Sequence, residues 1–434
     1  MADESRYEVR LYKWQQQGNP AYDDPKHAKH QESLKIKGWK PLIAARNIPI
    51  HSVSWTYRLD EISQANVSIP IDLRDEVGLP GHVLKDLEPY KYCVGIFKKL
   101  KGKWHLMWGG IIWTMRIDLT DRTLDISARD FFSFFENRHW AGTGKDKPLG
   151  ELIHNVFRST QKDWGINVAL TTDENGKSKQ NIPAMADRKV SWQYTYEEWK
   201  EGWEIIQDFV DSQNGFFINC YPYIEQGTWD TKNEKLRFAP HCTENRVPRH
   251  PTTRYCLWTD VGIRDCKIEQ YADVYGNKAL LDHINCEVEE IYFDGTQIAN
   301  VAYAIGTNNT TTVNRRRNNK NGIKKWPVRD AVARYHQVAG NADLDAKADT
   351  LLAFGDPGIR VPRIVTYPNA FEDPTRFNPN LGVKIAVKVN TGFMNVSEDF
   401  VVTQADIRVE ADGTDRVALS LTQAALFRKE KFSG

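Results

Sequence analysis

The run Val53-Ser54-Trp55-Thr56-Tyr57-Arg58-Leu59-Asp60-Glu61-Ile62-Ser63-Gln64-Ala65-Asn66-Val67-Ser68-Ile69-Pro70-Ile71 holds two alternations separated by a polar break. Val53, Trp55, Tyr57 and Leu59 alternate with Ser54, Thr56 and Arg58; after Asp60 to Gln64 the pattern resumes at Ala65, Val67, Ile69 and Ile71. A strand sends successive side chains to opposite faces, so each half reads as a half-buried strand. Downstream, past Gly109-Gly110, Met115, Ile117 and Leu119 alternate again, and Leu124, Ile126 and Ala128 answer them across the polar turn Thr120 to Thr123. Consecutive alternating strands with short turns predict an antiparallel barrel or sandwich over about 48–140.

Upstream, Tyr7, Val9 and Leu11 alternate with charges like a short strand, and Gln15 to Lys40 is polar and broken by Gly18, Pro20 and Pro25. Residues 1–47 therefore read as an extended arm. Trp14 and Trp39 are costly to leave in water, which makes them candidate anchors on a neighbouring subunit.

The period changes in the middle third. Leu149, Leu152, Ile153, Val156 and Phe157 follow helical spacing after Pro148. Thr195 with Glu198 is a candidate capping box for a second helix with Trp199, Trp203, Ile206 and Val210 on one face, stopped by Asn214-Gly215. Strands at 216–221 and 235–238 make residues 141–262 an α+β region. The last third, 263–434, returns to β, with alternation at Ile385, Val387, Ile407 and Val409 and a hairpin signal at Asp412-Gly413 answered by Val417, Leu419 and Leu421. One short helix there places Leu344, Ala348, Leu351 and Leu352 on a common face and ends at Gly355 and Pro357.

Lys plus Arg is 58 and Asp plus Glu 57 in 434 residues, a net charge of +1 that gives no sign of a dedicated nucleic-acid or membrane-surface binder. The N-terminus lacks the apolar core of a signal peptide, and no stretch is long and apolar enough for a membrane span. Six cysteines, widely spaced and without a Cys-x-x-Cys pair, read as free thiols of a cytoplasmically made protein. His27 with His30, and His241-Cys242 with His250 and Cys256, lack the paired spacing of a zinc site. No nucleophile elbow, phosphate loop or catalytic Cys–His setting occurs, so no catalytic, cofactor or metal residue is assigned. One charged feature stands out. A stretch from Thr307 to Lys325 reads as a basic loop: with Arg329 and Arg334 beyond it, Arg315, Arg316, Arg317, Lys320, Lys324 and Lys325 face a single acid, Asp330. The six within the loop are candidate partner contacts, for phosphate or for an acidic protein surface.

The stretch 53–71, with Trp108-Gly109-Gly110-Ile111-Ile112 through Asp130-Phe131-Phe132 and the C-terminal helix followed by strands ending at Leu421, resembles the minor tail proteins of siphophages, the tail-hub proteins similar to the baseplate hub of contractile phages. The resemblance implies a β-rich α+β chain with two antiparallel tail-tube-like β-barrels, 48–140 and 263–434, around the α+β region. It implies a non-enzymatic virion component: a homotrimer at the tail tip adapting the sixfold tube to threefold parts. Its partners would be a distal tail protein or tube ring above, tip or fibre proteins below, and the tape-measure protein. The genome would pass through its lumen without specific binding. The aromatic surplus, 14 Trp, 17 Tyr and 18 Phe, leaves a receptor- or glycan-binding tip protein as the alternative, with a cell-wall hydrolase behind it.

Overall fold

The structure, a computed structural model, describes residues 7–18, 37–71, 81–100, 102–161, 165–166, 168, 170, 182–186, 189–195, 197, 199–210, 217–224, 234–243, 255–258, 286–294, 299–307, 312–336, 341–354, 359–366, 381–382, 384–390, 395–409 and 415–423. In the first part of the chain, β1 (Tyr7–Gly18), β2 (Lys37–Ile48), β3 (Ser52–Arg58) and β4 (Gln64–Pro70) precede a short helix α1 (Gly81–Asp86). Then come β5 (Tyr92–Leu100), β6 (Lys103–Asp118), β7 (Thr123–Arg129) and a 3-10 helix, Phe131–Asn137. The middle holds β8 (Gly142–Pro148), α2 (Leu149–Gln161), β9 (Lys189–Tyr194), α3 (Gly202–Val210), β10 (Phe217–Ile224), β11 (Leu236–Thr243) and β12 (Tyr255–Trp258). The last part runs β13 (Cys286–Asp294), β14 (Val301–Thr307), β15 (Thr312–Asn318), α4 (Lys320–Lys325), β16 (Asp330–His336), α5 (Asn341–Phe354), β17 (Ile359–Thr366), β18 (Lys384–Asn390), β19 (Asn395–Val409) and β20 (Asp415–Gln423).

The decisive stretch folds as its alternation requires. Val53, Trp55, Val67 and Ile69 are buried, and β3 pairs antiparallel with β4, Val53 opposite Val67. Beyond them the chain is β-rich and mostly antiparallel, as expected. The strands of both ends form one thirteen-stranded sheet, ordered β13-β17-β20-β19-β3-β4-β7-β6-β5-β1-β2 with β18 and β12 branching from β19, and no closed barrel forms among the described residues. The joint is β19. Residues 395–401 pair with β18, and after an irregularity between Val402 and Gln404 residues 404–409 pair with β3. A bulge bends its strand and re-aims the residues beyond it; here the carbonyls of Val402 and Thr403 turn to accept from Gly382 and Leu59 at 2.8 and 2.9 Å. One long strand thus serves the C-terminal module first and the N-terminal module second.

The sheet curls around a single apolar cluster to which both ends contribute, from Tyr7, Val9 and Leu11 through Trp55 and Ile126 to Ile407, Val417 and Leu419. The segment expected to be an arm joins the sheet: β1 and β2 pair antiparallel, β1 pairs with β5, and β2 ends the strand order. The polar composition concealed it: β1 exposes few residues because its even positions, Glu8, Arg10 and Tyr12, are buried too.

Those even positions face the α+β region. Glu234, just before β11, accepts from Arg10 at 3.0 Å, from Arg46 at 2.7 Å and from the Tyr12 hydroxyl. The Arg10 guanidinium lies 3.9 Å from the Phe97 ring centroid. Desolvation acts against a buried charge, and here each carboxylate and guanidinium finds a partner of opposite sign. Around them a second cluster joins Phe97 and Ile111 to Phe131, Phe132 and Phe135 of the 3-10 helix, Leu152, Ile153 and Phe157 of α2, and Ile205 and Ile206 of α3. The 141–262 region therefore shares its core with the first β module. At its far end, β12 pairs with β18 and so belongs to the large sheet.

Gly109 and Gly110 lie inside β6. A Cβ on Gly110 would meet the Arg129 carbonyl oxygen at 2.3 Å and the Trp108 ring at 2.4 Å, so β7 and the indole require the bare backbone. The second helix begins at Gly202, well after Thr195. Backbone groups of the preceding residues are held elsewhere, Lys200 accepting from Trp140 at 3.1 Å and Gly202 donating to Arg138 at 2.6 Å. Trp199 consequently takes a left-handed backbone (φ 42) and is 65% exposed instead of lining the helix. Glu198, Asn214, Gly215, Asp412 and Gly413 lie outside the described residues.

Candidate partner-contact site

The basic segment is neither a loop nor one site. β14 to α5 fall in the chain between β13 and β17, which pair with each other in the large sheet. Within that stretch β15-β14-β16 form a separate three-stranded sheet, with α5 packed on one face through Leu344, Ala348, Ala302 and Ala304. Strand alternation then sorts the arginines. Arg315 and Arg317 point to the helix face. Arg315 donates to both carboxylate oxygens of Asp345 at 2.7 Å, and Arg317 lies 3.4 Å from Asp345 and from Asp349. The Arg315 hydrogen bonds hold the Asp345 carboxyl below the usual range and raise the Arg315 guanidinium above its own. These two arginines secure α5 to its sheet. The sequence reading missed their acids because Asp345 lies 30 residues away in the chain.

Arg316 points the other way, its guanidinium 5.7 Å from the Tyr303 ring centroid. Lys320 and Lys324 stand exposed on α4, whose start is capped by the Asn319 side chain accepting from Asn321 and Gly322 at 3.1 and 3.0 Å. The side chain of Lys325 lies outside the described residues. Asn300 fixes the return to β16, donating to the Pro327 carbonyl at 3.0 Å and accepting from Arg329 at 2.9 Å. Of the six candidates, Arg315 and Arg317 are thus structural, and Arg316, Lys320 and Lys324 are left at the surface.

Trp14 and Trp39 are brought near each other, diagonally across the β1–β2 hairpin, where Trp14 faces Pro41 and Trp39 faces Gln16. Trp14 is half-buried against the chain's own second cluster, and the Trp39 amide donates to Gly165 at 2.9 Å.

A groove of about 700 Å³ crosses β3, β4, β6, β7 and the end of β19. Its polar lining is Ser54, Asn66, Ser68, Thr114, Ser127 and their neighbours, and Asp125 is the single acid among the described lining residues, accepting from Ser68 at 2.7 Å. Acid–base hydrolysis of a glycoside needs two opposed carboxyl groups, which this lining does not provide. Among the described residues no three His, Cys, Asp or Glu converge as a metal site, and no helix is long and apolar enough to cross a membrane. Cys93, Cys220, Cys242 and Cys286 are free thiols, with burial pushing each upward in pKa.

The described strands of both chain ends thus build one curled, β-rich sheet with the α+β region packed against it. The fold is that of phage tail proteins, in line with the resemblance. The chain is similar to the tail protein from Neisseria meningitidis MC58, at 12% identity and a TM-score of 0.51, over 90% of this chain and 97% of that one. It is similar also to the 43 kDa tail protein of prophage MuSo2 from Shewanella oneidensis, at 10% identity and a TM-score of 0.51, over 97% of this chain and 99% of that one. No protein-family model matches the chain, and no curated protein matches its sequence.

Proposed function

We propose that this chain is a non-enzymatic structural component of a phage-type tail, a homotrimeric hub at the tip that joins the sixfold tube to threefold parts below. The observation that carries the reading is the likeness to two tail proteins across nearly the whole of each chain. The sheet topology supports it. On this reading each chain offers a β module from its beginning and another from its end, joined through β19, which pairs with β18 and β3 in turn. Three copies supply six such modules, the number a sixfold ring offers, while the assembly below keeps threefold symmetry. Its partners on this reading are a distal tail protein or tube ring above, tip or fibre proteins below, and the tape-measure protein, with the genome passing through the lumen. Trp55 and Trp108, buried in the core, have no face free for the sugar stacking of the glycan-binding alternative. Cryo-EM of the assembled particle tests the proposal: three copies at the tip are expected, and six copies, or absence of the chain from purified particles, overturns it.

A further inference from the structure

The three-stranded sheet is covered on one face and open on the other. Ala302, Ala304 and Val313 meet α5; the alternate positions Tyr303, Arg316 and Val332 stand in one row on the opposite face, with Ile305 and Arg334 in the next. Val332 is 60% exposed, although it is an aliphatic residue in a strand. Ile323, Trp326 and Val328, all exposed, follow in the crossover from β15 to β16 at the end of this sheet. Arg316 and Arg334 share the open face with Val332, as does the exposed acid Asp330, and Lys320 and Lys324 stand exposed in the crossover. Isolated exposed apolar residues need no explanation, but a contiguous group rimmed by polar ones marks an interaction surface. We infer that this open face docks an acidic surface of a different protein in the same particle, with Val332 and Trp326 in the dry centre and the four cations at the rim.

Charge and shape select that occupant. A second copy of this chain is net +1 and offers no acidic excess to meet four cations. A nucleic acid satisfies the cations but leaves Val332, Val328 and Ile323 against phosphate and sugar, whereas a protein surface buries them. Trp, Tyr and Arg together are the residues that dominate protein interface energetics, and all three occur here. Arg315 and Arg317, neutralised on the far face, hold the sheet rigid and take no part.

The inference rests on the chain being a tail component. The test places the photo-crosslinking amino acid p-benzoylphenylalanine at position 332 of the full chain, followed by irradiation of purified particles and mass spectrometry. A crosslink to an acid-rich segment of another tail protein is expected, weakened at least tenfold by Arg316→Glu with Arg334→Glu while the melting temperature stays that of the parent. A crosslink to another copy of this chain, to DNA or to nothing overturns the inference, as does one indifferent to the charge reversals. Absence of the chain from the particles is a separate result and sinks the hub reading itself.

Discussion

Lys98 of β5 and Asp415 of β20 form a buried ion pair, although β19, β3, β4, β7 and β6 lie between their strands in the sheet. The Tyr7 hydroxyl donates to the same carboxylate. The sheet therefore curls far enough for its two flanks to meet through side chains, where no backbone ladder joins them among the described residues. Removing one member of a buried pair leaves the other charge unpaired, at a cost of about 3–5 kcal/mol, while replacing the whole set with apolar groups is often neutral. Asp415→Ala is expected to destabilise the chain by about that amount in urea denaturation. Tyr7→Phe with Lys98→Met and Asp415→Leu is expected to recover most of the loss. A single mutant as stable as the parent would show that the flanks do not depend on this contact.

Asp130 gives the fold a pH dependence. Its carboxyl caps the 3-10 helix, accepting from Phe132 at 2.9 Å, and ties the β3–β4 turn by accepting from Ser63 at 2.7 Å. Burial raises its pKa to about 7, against the opposing pull of those amides. The unfolded chain gives up this proton near pH ~4. Between these values the folded state holds a proton that the unfolded state has lost. The stability it contributes is full below about pH 4 and falls as pH rises toward 7, by at most about 1.4 kcal/mol per pH unit. Denaturation of the parent and of Asp130→Asn at several pH values should show the slope in the parent and a flatter profile in the variant. Equal slopes would refute the assignment.

Gly110→Ala is expected to cost about 3 kcal/mol, because the added methyl overlaps backbone that β7 cannot withdraw without breaking its pairing with β6. Thermal melting against Gly102→Ala, where the backbone is left-handed but no atom lies within 4 Å, separates packing from conformation. The Gly110 change should lower the melting temperature more.

Trp199 and Trp203 should respond oppositely to truncation. Trp203 is stacked 4.7 Å from Phe132 and is buried, so Trp203→Ala should cost about 3–5 kcal/mol. Trp199→Ala should change stability by about 0.5 kcal/mol or less, as for other exposed sites. Comparable losses in urea denaturation would return Trp199 to the helix face that the spacing suggested.

The alternating strands β3, β4, β7, β19 and β20 were legible because each buries one face, leaving a period of two in the residues themselves. β1 was half legible for the same reason in reverse. Its second face is buried with charges: Glu8 accepts from Arg10, and Arg10's other partner, Glu234, lies 224 residues away. Polarity in a sequence reports exposure only when the partners of a charge are nearby in the chain. The basic segment shows the same limit. Its composition revealed a surplus of cations but not that alternation sends Arg315 and Arg317 to one face and Arg316 to the other. The bulge in β19 and its change of partner left no local trace, since register between distant strands is written in shape complementarity across the sheet.

The change of partner along β19 also bears on how the chain is made. Val53 of β3 pairs with Val409 of β19, about 350 residues later. At a translation rate of roughly 5–20 residues per second, β3 waits about 20–70 s with one edge unpaired before its neighbour leaves the ribosome. An unpaired edge is a template for the wrong strand, including the same strand of another nascent chain. Synthesis of this protein therefore passes through an interval of exposure to misassembly, which slower translation lengthens and a chaperone that shields strand edges would shorten.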